Sequence, residues 1–404
     1  MRSISLTLVT FGTLICAPFL TGPALADDTV KVEIRVSVPK DTPAADTLYL
    51  AGDLAEVGSW KADGVALQRN DDGTYSTTVN EAKGSTLEYK INRGSWDTVE
   101  KGTAGEEIGN RTVSFDADKV EKITVAQWAD QGNAKPAEPP KSTATGDIHY
   151  HEHFHSDILH NDRRLIVWLP PTYASDTASR FPVLYLHDGQ NCFDASTSFS
   201  GVEWQADETA DALIRAGKIR PIIMVGIANV GDDRMNEYTP TRDAKRGAGG
   251  NGEQYAQFLI TEVKPFIDRT YRTLPDRADT AVAGSSLGGL ISLYLGLKHG
   301  DVFGQVGVIS PSLFWDNRSL LKEIQTDPSG IKSERIWLDI GTAEGDASDQ
   351  SENVADARAL AAVLQGAGMV AGKDYRYLEV PGGKHNEAAW AARFDQVLTF
   401  FFGK

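Results

Sequence analysis

The segment Thr280–Gly300, TAVAGSSLGGLISLYLGLKHG, joins an apolar strand-like run directly to an apolar helix-like run. Residues 284–288 at its centre have the pattern Gly-x-Ser-x-Gly. Where this pattern follows a buried strand and opens a helix, the serine occupies a sharp, strained turn that exposes its hydroxyl. The segment therefore predicts an α/β fold with Ser286 as a nucleophile. The alternative is a small-residue turn that only starts a helix.

Strand-like and helix-like runs alternate along the whole region around this corner. The helix-like runs include residues 204–217 and 252–271 and end with Ala388–Phe402. The strand-like runs read RLIVWLP, PVLYLHDG, PIIMVGIAN, TAVAG, QVGVIS, RIWLDIG and YRYLEV. Such apolar strands are typical of a mostly parallel sheet covered by helices on both faces. We therefore expect an α/β domain with this kind of central sheet over residues 147–404.

The sequence before residue 129 has a different texture. Residues 30–38, VKVEIRVSV, alternate apolar and mostly polar side chains, as a half-buried strand does. Further short runs near 48–50, 75–79, 87–91, 112–115 and 123–128 predict a small antiparallel, immunoglobulin-like all-β sandwich over residues 27–128. Residues 129–146 are rich in Pro, Ala and small polar residues, so we expect an exposed linker there.

The first 26 residues predict export. Arg2 precedes an apolar stretch that ends in Ala24-Leu25-Ala26, the pattern of a secretory signal peptide cleaved after Ala26. A retained membrane anchor is the alternative. We expect a periplasmic or secreted protein that has no membrane association after cleavage. Its net charge of −16 argues against nucleic acid as a partner, and Cys192 would be its only cysteine, which excludes an internal disulfide.

A serine nucleophile needs a base, because its free hydroxyl is a poor nucleophile. In this kind of fold the nucleophile, the acid and the histidine follow one another along the chain. Only His299 and His385 follow Ser286. His299 ends the helix that the serine begins, whereas His385 lies in a loop after the last strand-like run, so His385 is the predicted base.

The acid should come from the loop that leaves the preceding strand, in RIWLDIGTAEGDASD. Glu344 is the first carboxylate of that loop and is favoured, while Asp346 and Asp349 remain open. Asp339 lies within the strand itself. A Ser–His pair without a strong acid is a further possibility.

Two backbone amides could stabilise a developing oxyanion. The amide of Leu287 follows the serine at the start of the helix, where it faces the same point in space. The second donor should come from the loop after PVLYLHDG. Gly189 allows a sharp turn there, and the amide of Gln190 could then face Ser286. An ordinary Asp-Gly turn is the alternative for this loop.

Several motifs in the region 147–404 occur together in one known family. The segments YLHDGQNCFD, GSSLGG, ISPSLFWDN, DIGTAEG and PGGKH resemble the esterase family of α/β-hydrolases. That family includes feruloyl esterases, enterochelin-type siderophore esterases and mycolyltransferases. The resemblance implies Ser286 as nucleophile, His385 as base, Glu344 as acid and the amides of Gln190 and Leu287 as oxyanion hole. It also implies a substrate pocket that is formed by Trp204, Arg234, Phe314 and Trp315.

The front region resembles a starch-binding type of carbohydrate module. The segments LYLAGDLAEVGSW and LEYKINRGSW carry this likeness. It implies that Trp60 and Lys90 bind sugar. Trp96 is the candidate for the second stacking aromatic, although it is out of register and Lys101 occupies the aligned position. A sandwich that only assists the enzyme structurally is the alternative.

A run of histidines, HYHEHFHSDILH, contains His149, His151, His153, His155 and His160. Strict alternation in a strand would place the first four on one face, a spacing compatible with zinc or copper. However, serine hydrolysis needs no metal. We therefore expect an exposed polar edge strand, no metal site and no cofactor.

The sequence as a whole predicts an exported serine carboxylic-ester hydrolase that works through an acyl-enzyme. A feruloyl or acetyl ester linked to carbohydrate is the expected substrate, with polysaccharide as a possible ligand of the front domain. A siderophore trilactone esterase, an acyltransferase like the mycolyl enzymes, and a polysaccharide-binding protein with an inert hydrolase domain are the alternatives.

Overall fold

We describe the protein from a computed structural model. It describes residues 29–404 except 59, 104, 106–107, 132–140, 200, 332, 334 and 346. The predicted signal peptide and half of the predicted linker therefore lie outside the described residues. Within the described part, no helix is both long and apolar enough to cross a bilayer.

Residues 29–128 form a β-sandwich. Its two four-stranded sheets have the strand orders β4-β5-β1-β9 and β3-β2-β6-β8, and β10 pairs with β7. The alternating pattern buries Val32, Ile34 and Val36 completely. The strands are β1 (Thr29–Ser37), β2 (Tyr49–Gly52), β3 (Val65–Ala66), β4 (Gln68–Arg69), β5 (Tyr75–Ala82), β6 (Thr86–Asn92), β7 (Glu100–Lys101), β8 (Arg111–Ser114), β9 (Lys119–Thr124) and β10 (Gln127–Trp128).

The expected purely antiparallel pairing of the sandwich is wrong at one position. Strands β1 and β9 pair in parallel, with Val32 opposite Lys119 and Val36 opposite Ile123. These are the first and one of the last strands of the sandwich, so no tight turn joins them. A long connection leaves either direction open, whereas a hairpin forces the antiparallel one.

The second part of the chain contains an eight-stranded mixed sheet with the order β11-β12-β14-β13-β17-β18-β19-β20. All pairs from β14 to β20 are parallel, and β11 and β12 add antiparallel strands at one edge. These strands are β11 (Asp147–Ser156), β12 (Asn161–Leu169), β13 (Val183–His187), β14 (Ile223–Ile227), β17 (Thr280–Ser286), β18 (Gln305–Pro311), β19 (Arg335–Gly341) and β20 (Tyr375–Val380), and a separate hairpin consists of β15 (Arg242–Asp243) and β16 (Ala248–Gly249).

Helices cover both faces of this sheet, as the near-continuous apolar strands predicted. One apolar core lies between the sheet and α3 to α7, and another lies between the sheet and α1 and α8. The helices are α1 (Ala206–Arg215), α2 (Arg234–Glu237), α3 (Gly252–Phe258), α4 (Lys264–Thr270), α5 (Leu287–Lys298), α6 (Trp315–Thr326), α7 (Ala347–Gly366) and α8 (Glu387–Phe402). A π-helical turn, Leu259–Val263, joins α3 to α4. The predicted α/β fold with a mostly parallel sheet is confirmed.

The sandwich contacts the α/β part through the β15–β16 hairpin. The amide of Ala55 donates to the carbonyl of Lys245 at 3.4 Å, and a guanidinium nitrogen of Arg246 lies 3.6 Å from an Asp53 carboxylate oxygen. The same guanidinium lies over the rings of Phe314 and Trp315 at 5.5 and 5.6 Å. The two parts therefore meet at this hairpin, which packs in turn on residues that follow β18.

Candidate active site

The corner predicted from the Gly-x-Ser-x-Gly pattern is present. Ser286 is the last residue of β17, and α5 begins at Leu287. The serine backbone has φ 59° and ψ −124°, and a positive φ is uncommon for a residue that has a side chain. A Cβ at Gly284 would lie 2.8 Å from the carbonyl carbon of Gly288. A glycine at position 284 is therefore required for the close approach of strand and helix.

His385 lies beside Glu344. Its Nδ1 is 2.8 Å from Glu344 Oε2, so an Nδ1–H donates to the carboxylate and leaves Nε2 free to accept a proton. The imidazole is partly exposed, whereas the Glu344 side chain is buried. Its ring edge packs on Trp390 at a centroid distance of 5.1 Å. This arrangement fixes the tautomer and orientation that a general base needs.

The other carboxylate oxygen of Glu344 also has donors. Oε1 accepts from the Gly341 amide at 2.7 Å and from Ser310 Oγ at 2.5 Å. Burial acts to raise the pKa of Glu344, but the hydrogen bonds from His385, Ser310 and Gly341 outweigh it and hold that pKa below its usual value. Glu344 is therefore well suited to remain ionised and to stabilise a protonated His385.

A buried network supports this carboxylate from behind. Ser310 Oγ accepts from Arg393 Nη2 at 2.7 Å and from Trp390 Nε1 at 3.1 Å. Arg393 Nη2 also donates to Asp339 Oδ1 at 2.8 Å. Burial raises the pKa of Asp339, although Arg393 and the indole of Trp337 act to lower it. Asp339 therefore holds Arg393 in place and does not contact His385 itself.

The open choice of the acid is narrowed by these contacts. Glu344 is the carboxylate that the structure places next to His385. Asp346 lies outside the described residues, and the structure does not describe the side chain of Asp349.

The three candidate residues lie at the carboxyl ends of neighbouring parallel strands. Strands β17, β18, β19 and β20 are parallel neighbours in that order. Ser286 ends β17, whereas Glu344 and His385 follow β19 and β20. Between them, Ser312 follows β18, and its Oγ is 3.3 Å from Ser286 Oγ. The carboxyl edge of a parallel sheet is where such folds form their binding and reaction sites.

The turn after β13, which the sequence predicted to carry an oxyanion donor, is tight. Gln190 lies in a 3₁₀ turn, Gly189–Asn191, and a Cβ at Gly189 would lie 2.3 Å from the carbonyl carbon of Gly226. The side chain of Gln190 accepts from the Asn229 amide at 3.2 Å. The amide of Leu287 is the first of α5 and has no partner within that helix.

Asp188 and Arg234 fix this turn together. The guanidinium of Arg234 donates to both oxygens of Asp188 at 2.7 Å, and Asn229 Nδ2 donates to Oδ1 at 2.7 Å. Burial acts to raise the pKa of Asp188, but Arg234 and Asn229 outweigh it and lower that pKa. Arg234, which the family resemblance implies in the substrate pocket, is thus bound to Asp188. Its visible role is to position the turn.

Two of the aromatic residues implied in the pocket are buried. Trp204 and Trp315 are only 2% and 3% exposed, so neither offers a free ring face to a substrate. Trp204 packs against Trp390 and Phe394 at 5.9 and 5.5 Å, and Trp315 Nε1 donates to the Thr241 carbonyl. The structure thus shows a packing role for both tryptophans, and their place in a substrate pocket stays a prediction.

Two further aromatic residues of the α/β part are exposed. Phe314, which the family resemblance implies in the pocket, is 39% exposed, and Phe199 is 78% exposed. The amide of Phe199 donates to Asn191 Oδ1 at 3.1 Å, so its backbone lies next to the turn Gly189–Asn191. Sequence reasoning missed Phe199, whose only signal is an isolated aromatic residue in the polar loop DASTSFSG.

The front domain brings two predicted sugar-binding residues together. The rings of Trp60 and Trp96 lie 6.4 Å apart at an angle of 41°, and both are partly exposed. Trp96 begins a 3₁₀ turn, Trp96–Thr98, which brings it near Trp60 despite its offset in the sequence. Lys90 is 7% exposed, and its ammonium donates to the carbonyl of Ile108.

The histidine run does not form one ligand face. A register shift between His151 and Phe154 interrupts the alternation in β11. His151 Nε2 is 2.9 Å from the hydroxyl of Tyr271, whereas His155 Nδ1 is 2.6 Å from Asp162 Oδ1. These imidazoles therefore have separate partners. In the part of the chain that the structure describes, no cluster of three potential metal ligands includes a histidine of this run.

Comparison with known families agrees with this architecture. The model of the esterase family, described as "Putative esterase", matches residues 156–401, and the chain belongs to this family. The model of the starch-binding domain matches residues 29–126. The chain thus combines an esterase-family domain with a starch-binding-type module.

Relatives match one part or the other. YbbA, an uncharacterized protein of Bacillus subtilis strain 168, is 28% identical over 189 residues, which cover 46% of this chain and 70% of YbbA. An α-amylase of Niallia circulans is 43% identical over 115 residues, or 28% of this chain and 8% of the amylase. An endo-1,4-β-xylanase/feruloyl esterase of Xylanibacter ruminicola is 32% identical over 171 residues, or 41% of this chain and 21% of that enzyme. The chain thus spans only a small share of the last two proteins.

Solved structures share the fold. The enterobactin esterase of Shigella flexneri, solved in the presence of enterobactin, has a TM-score of 0.52 and 16% identity, and the alignment covers 94% of each chain. A BES protein from Bacillus cereus has a TM-score of 0.52 and 21% identity, with 64% of this chain and 96% of that chain covered.

Proposed function

We propose that this chain is a serine carboxylic-ester hydrolase that works through an acyl-enzyme. In this proposal Ser286 is the nucleophile, His385 the general base and Glu344 the acid that orients it. The amides of Gln190 and Leu287 form the oxyanion hole. The observation that carries the proposal is the 2.8 Å contact between His385 and Glu344, at the sheet edge where Ser286 occupies its strained corner.

The proposed reaction has two halves. Ser286 Oγ attacks the ester carbonyl while His385 Nε2 takes its proton, and Glu344 stabilises the resulting imidazolium. The two amides stabilise the oxyanion of the tetrahedral intermediate. His385 then gives its proton to the leaving alcohol, which leaves an acyl group on Ser286. Water enters, loses a proton to His385 and releases the acid by the same steps in reverse.

A substitution of the nucleophile tests this mechanism. Ser286→Ala should lower the turnover of a p-nitrophenyl ester by roughly three to six orders of magnitude, because no acyl-enzyme can form. Ser175→Ala, in the loop after β12 at the other end of the sheet, is the matched control and should retain activity. Activity of the Ser286→Ala variant near that of the unsubstituted protein would contradict the proposal.

We further propose a carbohydrate-linked ester, feruloyl or acetyl, as substrate. The starch-binding-type module and the likeness to a xylanase/feruloyl esterase support this choice. A siderophore trilactone is the alternative, because an iron(III) enterobactin esterase of Dickeya dadantii is also a relative. Hydrolysis rates on methyl ferulate, acetylated xylan and enterobactin compared side by side separate the two. Transfer of the acyl group that outpaces hydrolysis would indicate an acyltransferase instead.

Polysaccharide binding by the front domain is a separate proposal. The partly exposed pair Trp60 and Trp96 supports it, because sugar rings stack on such aromatic faces. Trp60→Ala and Trp96→Ala should each weaken retention on starch by roughly tenfold, whereas Tyr150→Ala, which removes an exposed ring outside this module, should not. Equal retention of all three variants would contradict the role of the pair. Starch retention without esterase activity would indicate a binding protein with an inert hydrolase domain.

Export is proposed from the signal-peptide pattern of residues 1–26. N-terminal sequencing of the protein recovered from the periplasm or the medium should begin at Asp27. Recovery of the uncleaved chain in the membrane fraction would indicate the retained anchor instead.

A further inference from the structure

Three carboxylates meet at the start of α1, away from the candidate triad. Glu203, Asp207 and Glu208 each place a carboxylate oxygen within 4.8 Å of the others. Glu203 is 4% exposed and Asp207 is completely buried. Three negative charges at this separation repel one another strongly in a poorly solvated site. A group of opposite charge or a set of protons is needed to make the arrangement stable.

The carboxylate oxygens of this acidic cluster fall into two sets. One set is bound by protein donors: Thr143 Oγ donates to Glu203 Oε1, and Thr145 donates to Asp207 Oδ2 through its amide at 2.6 Å and its hydroxyl at 3.0 Å. The other set is Glu203 Oε2, Asp207 Oδ1 and Glu208 Oε2. As ionised carboxylates, these three oxygens are buried without a hydrogen-bond donor within the described structure, and Asp207 and Glu208 lie close enough that a shared proton would join them.

Unpartnered buried carboxylate oxygens are costly, because desolvation is not offset by a donor. Within the described residues, none of the three carboxylates pairs with a lysine or an arginine at ion-pair distance. The lack of donors at these oxygens, together with the closeness of the three side chains, indicates a ligand. All ligand atoms are oxygens, which hard divalent cations prefer.

We propose that Glu203, Asp207 and Glu208 bind a divalent cation of the calcium type. One oxygen from each of the three carboxylates lies within 4.8 Å of the others, so all three can reach a single ion whose metal–oxygen distances are about 2.3–2.6 Å. Calcium also accepts irregular and bidentate carboxylate ligands, whereas magnesium requires a near-ideal octahedron and retains several waters. The cation satisfies the three unpartnered oxygens together.

The position of the site gives the cation a structural role. Thr143 and Thr145 belong to the segment that enters the α/β domain, and Asp194 holds the same segment through Ser142 Oγ at 2.7 Å. The amide of Trp204 donates to the carbonyl of Asn191 at 2.9 Å, next to Gln190. The cation would therefore connect three parts of the domain. These are the segment that contains Thr143 and Thr145, the start of α1, and the end of the loop that follows the turn Gly189–Asn191.

Metal binding can be measured on the full-length protein purified without an affinity tag and freed of metal by chelation. Calcium chloride at a hundredfold excess over its dissociation constant should raise the melting temperature of the α/β domain by roughly 5–10 °C. Terbium(III), used as a calcium probe, should show emission sensitised by Trp204, which is adjacent to Glu203. Excess calcium should remove that emission.

Substitutions of the same helix separate the site from general charge effects. Asp207→Asn and Glu203→Gln should each weaken calcium binding by roughly a hundredfold or more. Asp211→Asn is the matched control, because Asp211 lies on α1 and pairs with Arg215 at the surface, and it should leave calcium binding unchanged. Without metal, Asp207→Asn should melt at or above the temperature of the unsubstituted protein, because the amide keeps an acceptor for Thr145 and offers an NH₂ donor to the neighbouring carboxylates.

Three results would overturn the proposal. The first is that the unsubstituted protein shows neither a calcium-dependent melting temperature nor sensitised terbium emission, as expected if shared protons occupy the cluster. The second is an equal calcium response in Asp207→Asn, Asp211→Asn and the unsubstituted protein. The third is a metal-free Asp207→Asn variant that melts well below the metal-free unsubstituted protein. That result would mean that Asp207 Oδ1 already has a hydrogen-bond donor in the protein. None of these readouts depends on esterase activity.

Discussion

Two of the places where the α/β domain buries carboxylates have opposite surroundings. At the sheet edge, both oxygens of Glu344 accept hydrogen bonds, from His385 on one side and from Gly341 and Ser310 on the other. At the start of α1, Glu203 and Asp207 each have one oxygen with donors and one without. The pKa values differ accordingly: that of Glu344 is lowered, whereas burial raises that of Asp207 to about 8.

This difference shows how a fold can stabilise a buried negative charge. A carboxylate that must stay ionised during a reaction is given a donor for every oxygen, and those donors are held by a further network. Buried oxygens without donors need either shared protons or a group from outside the chain. The same residue type thus indicates two different functions, and the hydrogen-bond partners decide between them.

The largest expected effect in this comparison comes from changing Glu344, the carboxylate whose two oxygens both have donors. Glu344→Gln should lower kcat for a p-nitrophenyl ester by roughly 10²–10⁴-fold, because an amide stabilises the protonated His385 poorly and favours the wrong tautomer. KM should change little, since the side chain is buried. Steady-state kinetics provide the measurement. Glu379→Gln, which removes a surface carboxylate paired with Arg358, is the control, and a similar loss in both variants would show that His385 does not depend on Glu344.

A second prediction compares the supporting networks. Arg393→Met should lower the free energy of unfolding by about 3–5 kcal/mol, because it leaves Asp339 buried without its cation. Urea titration followed by tryptophan fluorescence measures this loss. Arg358→Met, at an exposed pair, should cost less than about 1 kcal/mol. An equally small loss of unfolding free energy in Arg393→Met and Arg358→Met would contradict this prediction. It would mean that the buried network is not needed to hold Asp339 and Glu344.

The smallest expected effect is a change in the pH dependence of stability, and it concerns His187, a buried histidine that is neutral. Burial lowers its pKa to about 3. Its Nδ1 is 3.0 Å from the Tyr255 hydroxyl, whereas Nε2 is buried without a partner within the described structure. The unfolded chain takes up a proton at this residue below about pH 6.5, and the folded chain does so only near pH 3. Its contribution to stability is therefore present above pH 6.5 and decreases by about 1.4 kcal/mol per pH unit as the pH falls.

His187→Asn should remove this part of the acid sensitivity, since an asparagine amide can lie near the position of Nδ1. Urea unfolding between pH 4 and pH 7 measures the slope for each variant. His160→Asn provides the control at an exposed histidine whose positive φ of 55° suits asparagine. An unchanged slope in His187→Asn would mean that this histidine takes up its proton within the folded protein.

The sequence predicted the serine corner and its neighbours because they follow local rules. The Gly-x-Ser-x-Gly pattern between an apolar strand and an apolar helix predicted the turn at Ser286. The chain order of loops after successive parallel strands predicted where Glu344 and His385 should lie. The parallel sheet also followed from its near-continuous apolar strands. All of these features are visible within short segments or in their order.

The remaining features depend on contacts between distant segments. Arg393 on α8 and Asp339 within β19 are 54 residues apart, and nothing in either segment indicates the pairing. Likewise, the donors from Thr143 and Thr145 to the acidic cluster come from a stretch that composition alone marked as linker. The irregular register in β11 and the parallel β1–β9 pair also arise from packing, which composition and periodicity do not show.

The central claim is that Ser286 is an activated nucleophile, and covalent labelling tests it most directly. A fluorophosphonate probe, followed by intact-protein mass measurement and peptide mapping, should add one adduct to the full-length protein, on Ser286. The Ser286→Ala variant should gain none, and Glu344→Gln should react much more slowly. An unlabelled protein, under conditions that label a known serine hydrolase completely, would contradict the claim, as would an adduct that persists in Ser286→Ala.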